Sequence, residues 1–164
     1  MKPFPDAVII QVTAPGSDAG RAALRAYLDD VASRFYGRPA GADEVDAALR
    51  EDPSDDLAPP SGVFWVAREH GTVIGCAGLR LLGDGIGEVK RVFVAPAARR
   101  RGLGRRLMGE VEQCARDQRR TVLRLDTRAD LVEARTLYSN LGYTEVPAFN
   151  ASAYAEHWFA KSLT

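Results

Sequence analysis

Residues 88–107 read EVKRVFVAPAARRRGLGRRL. The first half is rich in β-branched and aromatic residues and stops at Pro96, so the spacing predicts a strand over residues 87–94. From Leu103 the period changes, and Leu103, Leu107, Val111 and Cys114 fall on one face of a helix. Between strand and helix lie three arginines and the pair Gly102 and Gly104. Glycine lets the backbone turn sharply and approach a ligand without a Cβ in the way. The first amides of a helix have no internal partner, and the helix dipole adds partial positive charge there. The segment therefore suits a phosphate group, with Arg99, Arg100, Arg101 and Arg105 as mobile cations for a multiply charged anion. Taken alone, Gly-x-Gly equally fits a tight turn before a solvated, arginine-rich helix start. It is not a Walker A loop, which ends in Gly-Lys-Ser/Thr, and the third glycine of a dinucleotide fingerprint is replaced by Leu107.

Working outward, residues 8–12 form a β-branched run ended by Ala14-Pro15-Gly16. Ser17 can cap a helix to Tyr36, with Leu24, Leu28, Val31 and Phe35 on one stripe. A shorter acidic helix is expected over 43–49. Residues 63–67 and 73–82 read as a hairpin turning at His70-Gly71, and Gly83-Asp84-Gly85 makes the next turn. Residues 121–126 predict a strand and 131–141 a helix closed by Gly142. Residues 144–146 and 157–163 suit final strands. The order β-α-α-β-β-β-α-β-α-β-β is that of a mixed α/β fold, expected as one domain over 1–164.

The chain balances 22 basic against 22 acidic side chains, so bulk charge makes no case for nucleic acid or a membrane surface. The neutrality hides a local polarity. Residues 90–106 carry seven cations and no acid, whereas residues 41–56 carry seven acids against Arg50 alone. Pro3 and Pro5 interrupt the N-terminal segment, no stretch approaches the ~20 apolar residues of a membrane span, and a cytoplasmic location is expected. Cys76 and Cys114 sit in apolar runs and read as small buried thiols. With His70 and His157 they show no metal-ligand spacing, so no metal is expected.

Two motifs in order resemble the GCN5-related N-acetyltransferase superfamily. Arg99-x-x-Gly102-x-Gly104, preceded by VFVAP, is similar to the family's Arg/Gln-x-x-Gly-x-Gly/Ala signature. Ala134-x-x-Leu137-Tyr138-x-x-x-Leu141-Gly142-Tyr143 is similar to its second motif. The resemblance covers about residues 62–147, and the first sixty residues fit only in element order. It implies a central sheet of six to seven strands, splayed in a V between the fourth and fifth, flanked by about four helices. Acetyl-coenzyme A would lie in the splay as co-substrate. The backbone of Val92, Phe93 and Val94 would pair with the amides of its pantetheine arm. The amides of Arg100, Arg101, Gly102, Leu103, Gly104 and Arg105 would receive the pyrophosphate, aided by the arginine side chains.

The resemblance also implies the chemistry. Tyr138 stands at the general-acid position, where a phenol can protonate a leaving thiolate; its other reading is a core-edge aromatic. Glu88 matches the glutamate that histone-acetylating relatives use as base. A carboxylate beside an apolar cleft can take a proton from an amine, or else Glu88 pairs with an arginine or orients substrate. Leu131 replaces an asparagine common in the family, so that pantetheine contact is not carried over. The expected acceptor is a primary amine of a small molecule or amino acid, attacking directly in a ternary complex. Protein lysine or N-terminal amines, or a non-catalytic acyl-coenzyme A binding module, are the alternatives. The acids of 41–56 would draw a cationic amine, and Asn150, Tyr154 and His157 are candidates for the acceptor pocket. A homodimer is compatible with this reading.

Overall fold

Strand β1 (Val8–Val12) opens the described part of the chain, which in this computed structural model is residues 7–164. The Ser17 hydroxyl accepts from the Gly20 amide at 3.2 Å and caps α1 (Asp18–Tyr36), which ends on left-handed Gly37. Then follow α2 (Ala42–Glu51), β2 (Gly62–Glu69), β3 (Thr72–Leu81) and β4 (Ile86–Val94). A short 3-10 turn leads to α3 (Leu103–Asp117), β5 (Val122–Thr127), α4 (Val132–Asn140), β6 (Thr144–Glu145) and β7 (His157–Ser162). These bounds lie within two residues of those the periodicity predicts. The seven strands of the described residues form one sheet in the order β1-β2-β3-β4-β5-β7-β6, mixed because β4 and β5 run parallel.

Each face of the sheet has its own core. On one, Leu103, Leu107, Met108 and Val111 of α3 pack with Leu79, Val89, Leu123, Leu125, Tyr138 and Phe159. On the other, Ala23 and Leu24 of α1 pack with Leu57, Phe64, Val66, Cys76 and Phe93. Among the described residues no helix is long and apolar enough to cross a membrane.

The feature that positions the site is the joint between β4 and β5. Their ladder has only three rungs, Ile86↔Val122, Gly87↔Leu123 and Glu88↔Arg124. Two residues later β4 bulges. Its register with β3 passes from Cys76↔Phe93 to Gly78↔Lys90, so Ala77 faces both Arg91 and Val92. An extra residue in one strand bends it and increases its twist. Arg91 adopts φ +58°, which costs a non-glycine residue on the order of 1 kcal/mol. Its buried side chain is anchored: Nε donates to Ser54 Oγ at 3.1 Å, and Nη2 lies 2.8 Å from an Asp52 carboxylate oxygen. Beyond Glu88, β4 leaves β5 and keeps only β3 as its neighbour, which opens the expected V.

Candidate functional site

A cleft of about 480 Å³ lies where the strands part. It is lined by Val92, Phe93 and Val94 of β4, by Ala98, Arg99, Arg100 and Gly102 of the loop, and by Leu103, Gly104 and Arg105 of α3. Its far wall is Asp30, Val31 and Arg34 of α1 with Leu131, Glu133, Ala134, Leu137 and Asn140 around α4. Of the ten residues expected to hold the coenzyme, Arg101 alone does not line it. Its guanidinium turns to Glu69 of β2, with Nη2 2.7 Å from the carboxylate.

The loop is built to receive an anion. Arg100 at φ +63° and Gly102 at φ +84° turn the backbone left-handed twice in three residues. Such alternation aims consecutive N–H groups at one point. Among the described residues, the amides of Arg100, Gly102, Leu103, Gly104 and Arg105 have no hydrogen-bond partner. A Cβ at Gly102 would meet nothing within 4 Å, so its conformation is what calls for glycine there. Gly104 has a different reason: a Cβ would lie 2.9 Å from Leu137 Cδ2, where α3 meets α4. Orphaned amides at a helix start, with arginines at the rim, fit a pyrophosphate.

The cations are not equivalent. Arg99 reaches across the cleft. Its Nε donates to the Val94 carbonyl at 3.1 Å, and Nη2 lies 3.3 Å from Asp30 and 3.8 Å from Glu133. Arg34 completes this strap with ion pairs to Asp30 and Glu133. Arg99 is thus balanced by carboxylates and uses one of the β4 acceptors expected for the pantetheine arm. Arg100 and Arg105 make no ion pair among the described residues, so their charge faces the cleft unbalanced.

Tyr138 is 5% exposed, with its ring edge-on to Tyr143 at 5.9 Å and tilted against Phe159 at 6.3 Å. Its hydroxyl has no hydrogen-bond partner among the described residues. Burial pushes the phenol well above its ordinary range; Tyr27 of α1 and Asp126 of β5 add to the effect. The group therefore stays protonated at working pH, as a proton donor must.

Glu88 is buried, but its surroundings are cationic where the sequence predicts an apolar cleft. Arg124 Nε donates to Oε2 at 3.1 Å, Lys90 Nζ lies 3.4 Å from Oε1, and Arg80 Nη1 lies 3.6 Å from it. The acids of 41–56 are largely paired as well: Glu44 with Arg38, Asp46 with Arg25, Asp52 with Arg91 and Asp56 with Arg80. They present less free negative charge than the sequence implies. Asn150 bridges Asp126 and the Trp158 indole, beside Glu88's ion-pair group. Tyr154 is exposed and stacks edge-on against Phe35. His157 alternates with Trp158 onto the Phe159 face, away from Asn150, where its Nδ1 lies 3.3 Å from Glu145. Cys76 is buried, with its thiol held up by burial and donating to the Arg91 carbonyl; Cys114 is half-buried. Among the described residues no three His, Cys, Asp or Glu side chains are placed to hold a metal.

Known proteins share this sequence pattern and fold. The model of the acetyltransferase (GNAT) family matches residues 20–143, from the first turn of α1 onward. An IAA acetyltransferase of Azospirillum brasilense is 40% identical over 90 residues, 54% of this chain and 59% of that one. The N-alpha-acetyltransferase RimI of Mycobacterium tuberculosis is 37% identical over 94 residues, 56% and 58%. The chain thus spans about three fifths of the length of each of these two relatives. A Thermoplasma acidophilum PaiA N-acetyltransferase, solved in complex with coenzyme A, superposes with a TM-score of 0.73 over 94% of this chain and 99% of that one, at 14% identity.

Proposed function

The chain belongs to the acetyltransferase (GNAT) family, and from that membership we propose that it moves the acetyl group of acetyl-coenzyme A to a primary amine of a small molecule or amino acid. The observation that carries this reading is the set of amides at Arg100, Gly102, Leu103, Gly104 and Arg105 that have no partner among the described residues and open on the cleft beside the outer half of β4. These amides receive the pyrophosphate. The exposed edge of β4 at Val92 and Phe93 takes the pantetheine amides as a strand would.

In a ternary complex the free amine attacks the thioester carbonyl carbon. A carbon–nitrogen bond forms, the carbon–sulfur bond breaks, and the thiolate takes the proton of the Tyr138 hydroxyl. The amine's proton leaves to solvent, which in turn restores the phenol. Backbone N–H groups on the unpaired edge of β4 stabilise the carbonyl oxygen as charge develops on it. Glu88 acts chiefly by position. Three cations gather around its carboxylate, so we assign it the task of holding Arg124 and Lys90 at the apex of the splay. The relationship to an N-alpha-acetyltransferase keeps peptide N-terminal amines as the second acceptor class. The test is release of free thiol from acetyl-coenzyme A across a panel of amines, amino acids and short peptides. Tight coenzyme binding with no thiol released by any member would leave a binding module instead.

A further inference from the structure

Resting on the acetyl-transfer reading, we propose that the acceptor bears a carboxylate as well as its amine, and that Arg124 receives that carboxylate. Arg124 and Asp126 alternate with Leu123 and Leu125, whose side chains are in the core under α3. Arg124 therefore stands on the opposite face of β5. It is also the last rung of the β4–β5 ladder, paired with Glu88 at the apex of the splay.

Two contacts fix its guanidinium. Nε donates to Glu88 at 3.1 Å, and the plane lies over the Phe149 ring, 4.4 Å from the centroid. Both use the near side of the group. Among the described residues neither Nη atom donates a hydrogen bond, and the side chain is only a quarter exposed. An arginine serving Glu88 alone would do better with a bidentate pair, two parallel N–H···O bonds. Here the paired donors of the fork are stacked, oriented and left over, which is the geometry that recognises a planar carboxylate. Lys90, 3.4 Å from Glu88 and 3.9 Å from Asp126, adds a second cation at ion-pair range.

The charge count agrees. Arg80, Lys90 and Arg124 face Asp56, Glu88 and Asp126, so the group is balanced before substrate arrives. A zwitterionic amino acid adds no net charge to it. A bare cationic amine would add an unbalanced positive charge beside three cations.

The experiment compares each of several amino acids with its own amide in the thiol-release assay, for wild type, Arg124→Gln and Arg124→Lys. The readout is the acid-to-amide ratio of kcat/KM. Each amine is compared across variants, so differences in amine basicity cancel, as does any loss that Glu88 suffers when its partner changes. Wild type should favour the acids. Arg124→Gln should lower the ratio about 30-fold, mainly through KM of the acid. Arg124→Lys, which keeps the charge and the Glu88 pair but lacks the fork, should fall between, and it carries the test if the glutamine variant does not fold. A wild-type enzyme that prefers amides, or a ratio that survives both substitutions, overturns the proposal. If acetyl-coenzyme A binds but neither acids nor amides release thiol, the acetyl-transfer reading fails and this proposal with it.

Discussion

Replacing Tyr138 by Phe removes one oxygen and keeps the ring, and the structure separates its effect on stability from its effect on rate. The ring contacts with Tyr143 and Phe159 survive. The hydroxyl has no protein partner to lose among the described residues, and it is not one of the fully buried, unsatisfied polar atoms. Its removal should leave stability within about 0.5 kcal/mol of wild type, a Tm shift of no more than roughly 2 °C for a chain of this size. The rate should fall. Losing a general acid typically costs about 10²-fold, or about 2.7 kcal/mol of barrier. The assays are thermal denaturation, calorimetric titration with acetyl-coenzyme A, and steady-state thiol release, with kcat falling and coenzyme affinity steady. Alkaline pH supplies a check. The folded-state phenol titrates above its unfolded value of 10.0. Its contribution is therefore fully present below the unfolded value and is lost as pH rises from there toward the folded one. The variant should lose stability less steeply in that window, and the slope that remains includes Tyr27, Tyr143, Cys76 and Cys114, which burial also raises. A kcat within twofold of wild type, or a Tm drop of several degrees, would refute the reasoning.

Gly102→Glu should abolish coenzyme binding in a folded protein: a side chain there meets nothing, the left-handed backbone costs about 1 kcal/mol, and a carboxylate would sit among the orphaned amides. Gly104→Glu is the poorer probe because it also presses on Leu137, and unchanged calorimetric affinity in the Gly102 variant would remove the pyrophosphate from this loop. Arg100→Ala and Arg105→Ala should each weaken coenzyme binding by about 1–2 kcal/mol, less at high salt, whereas Arg101→Ala should cost under about 0.5 kcal/mol because that side chain serves Glu69. Equal losses at all three positions would show that the ion pairs do not sort them. Glu88→Gln leaves three cations facing a neutral side chain, so denaturant titration should show a loss of about 1–3 kcal/mol. Kinetically it should raise the acceptor KM more than it lowers kcat, and a 10²-fold drop in kcat alone would restore Glu88 as the base.

Local chemistry was well written in the chain. Ser17 marks the start of α1, Gly102 and Leu103 the start of α3, and Gly142 the end of α4, since caps and periodicity act over a few residues. The anion loop was legible for the same reason. The residues that modify the site depend on partners distant in sequence. Arg99 meets Asp30 from 69 positions away, and Arg101 meets Glu69 from 32 away. Nothing near either arginine distinguishes it from Arg100. Two of Glu88's three cations, Arg80 and Arg124, come from β3 and β5, so its surroundings follow from strand register. The bulge at Arg91 lacks the usual glycine, because buried contacts to Ser54 and Asp52 supply what a glycine would have supplied conformationally. Asn150 and His157 differ by which face of β7 their neighbourhood serves, and insertion of β7 between β5 and β6 is set by long-range pairing such as Leu125↔Phe159.

The parted strands also bear on self-association. An unpaired strand edge is a template on which another chain can assemble, and most proteins blunt or cover such edges at the rim of the sheet. Here the rim is modest: β6 has two residues and β1 has five. The longer exposed edge, the outer half of β4, is placed in mid-sheet, with β5 diverging beside it, α1 on one face and α3 on the other. A whole β-strand with its own neighbours has no room to dock there, whereas a thin chain of amides does. The fold thus keeps hydrogen-bonding backbone available to a ligand while withholding it from other copies of itself.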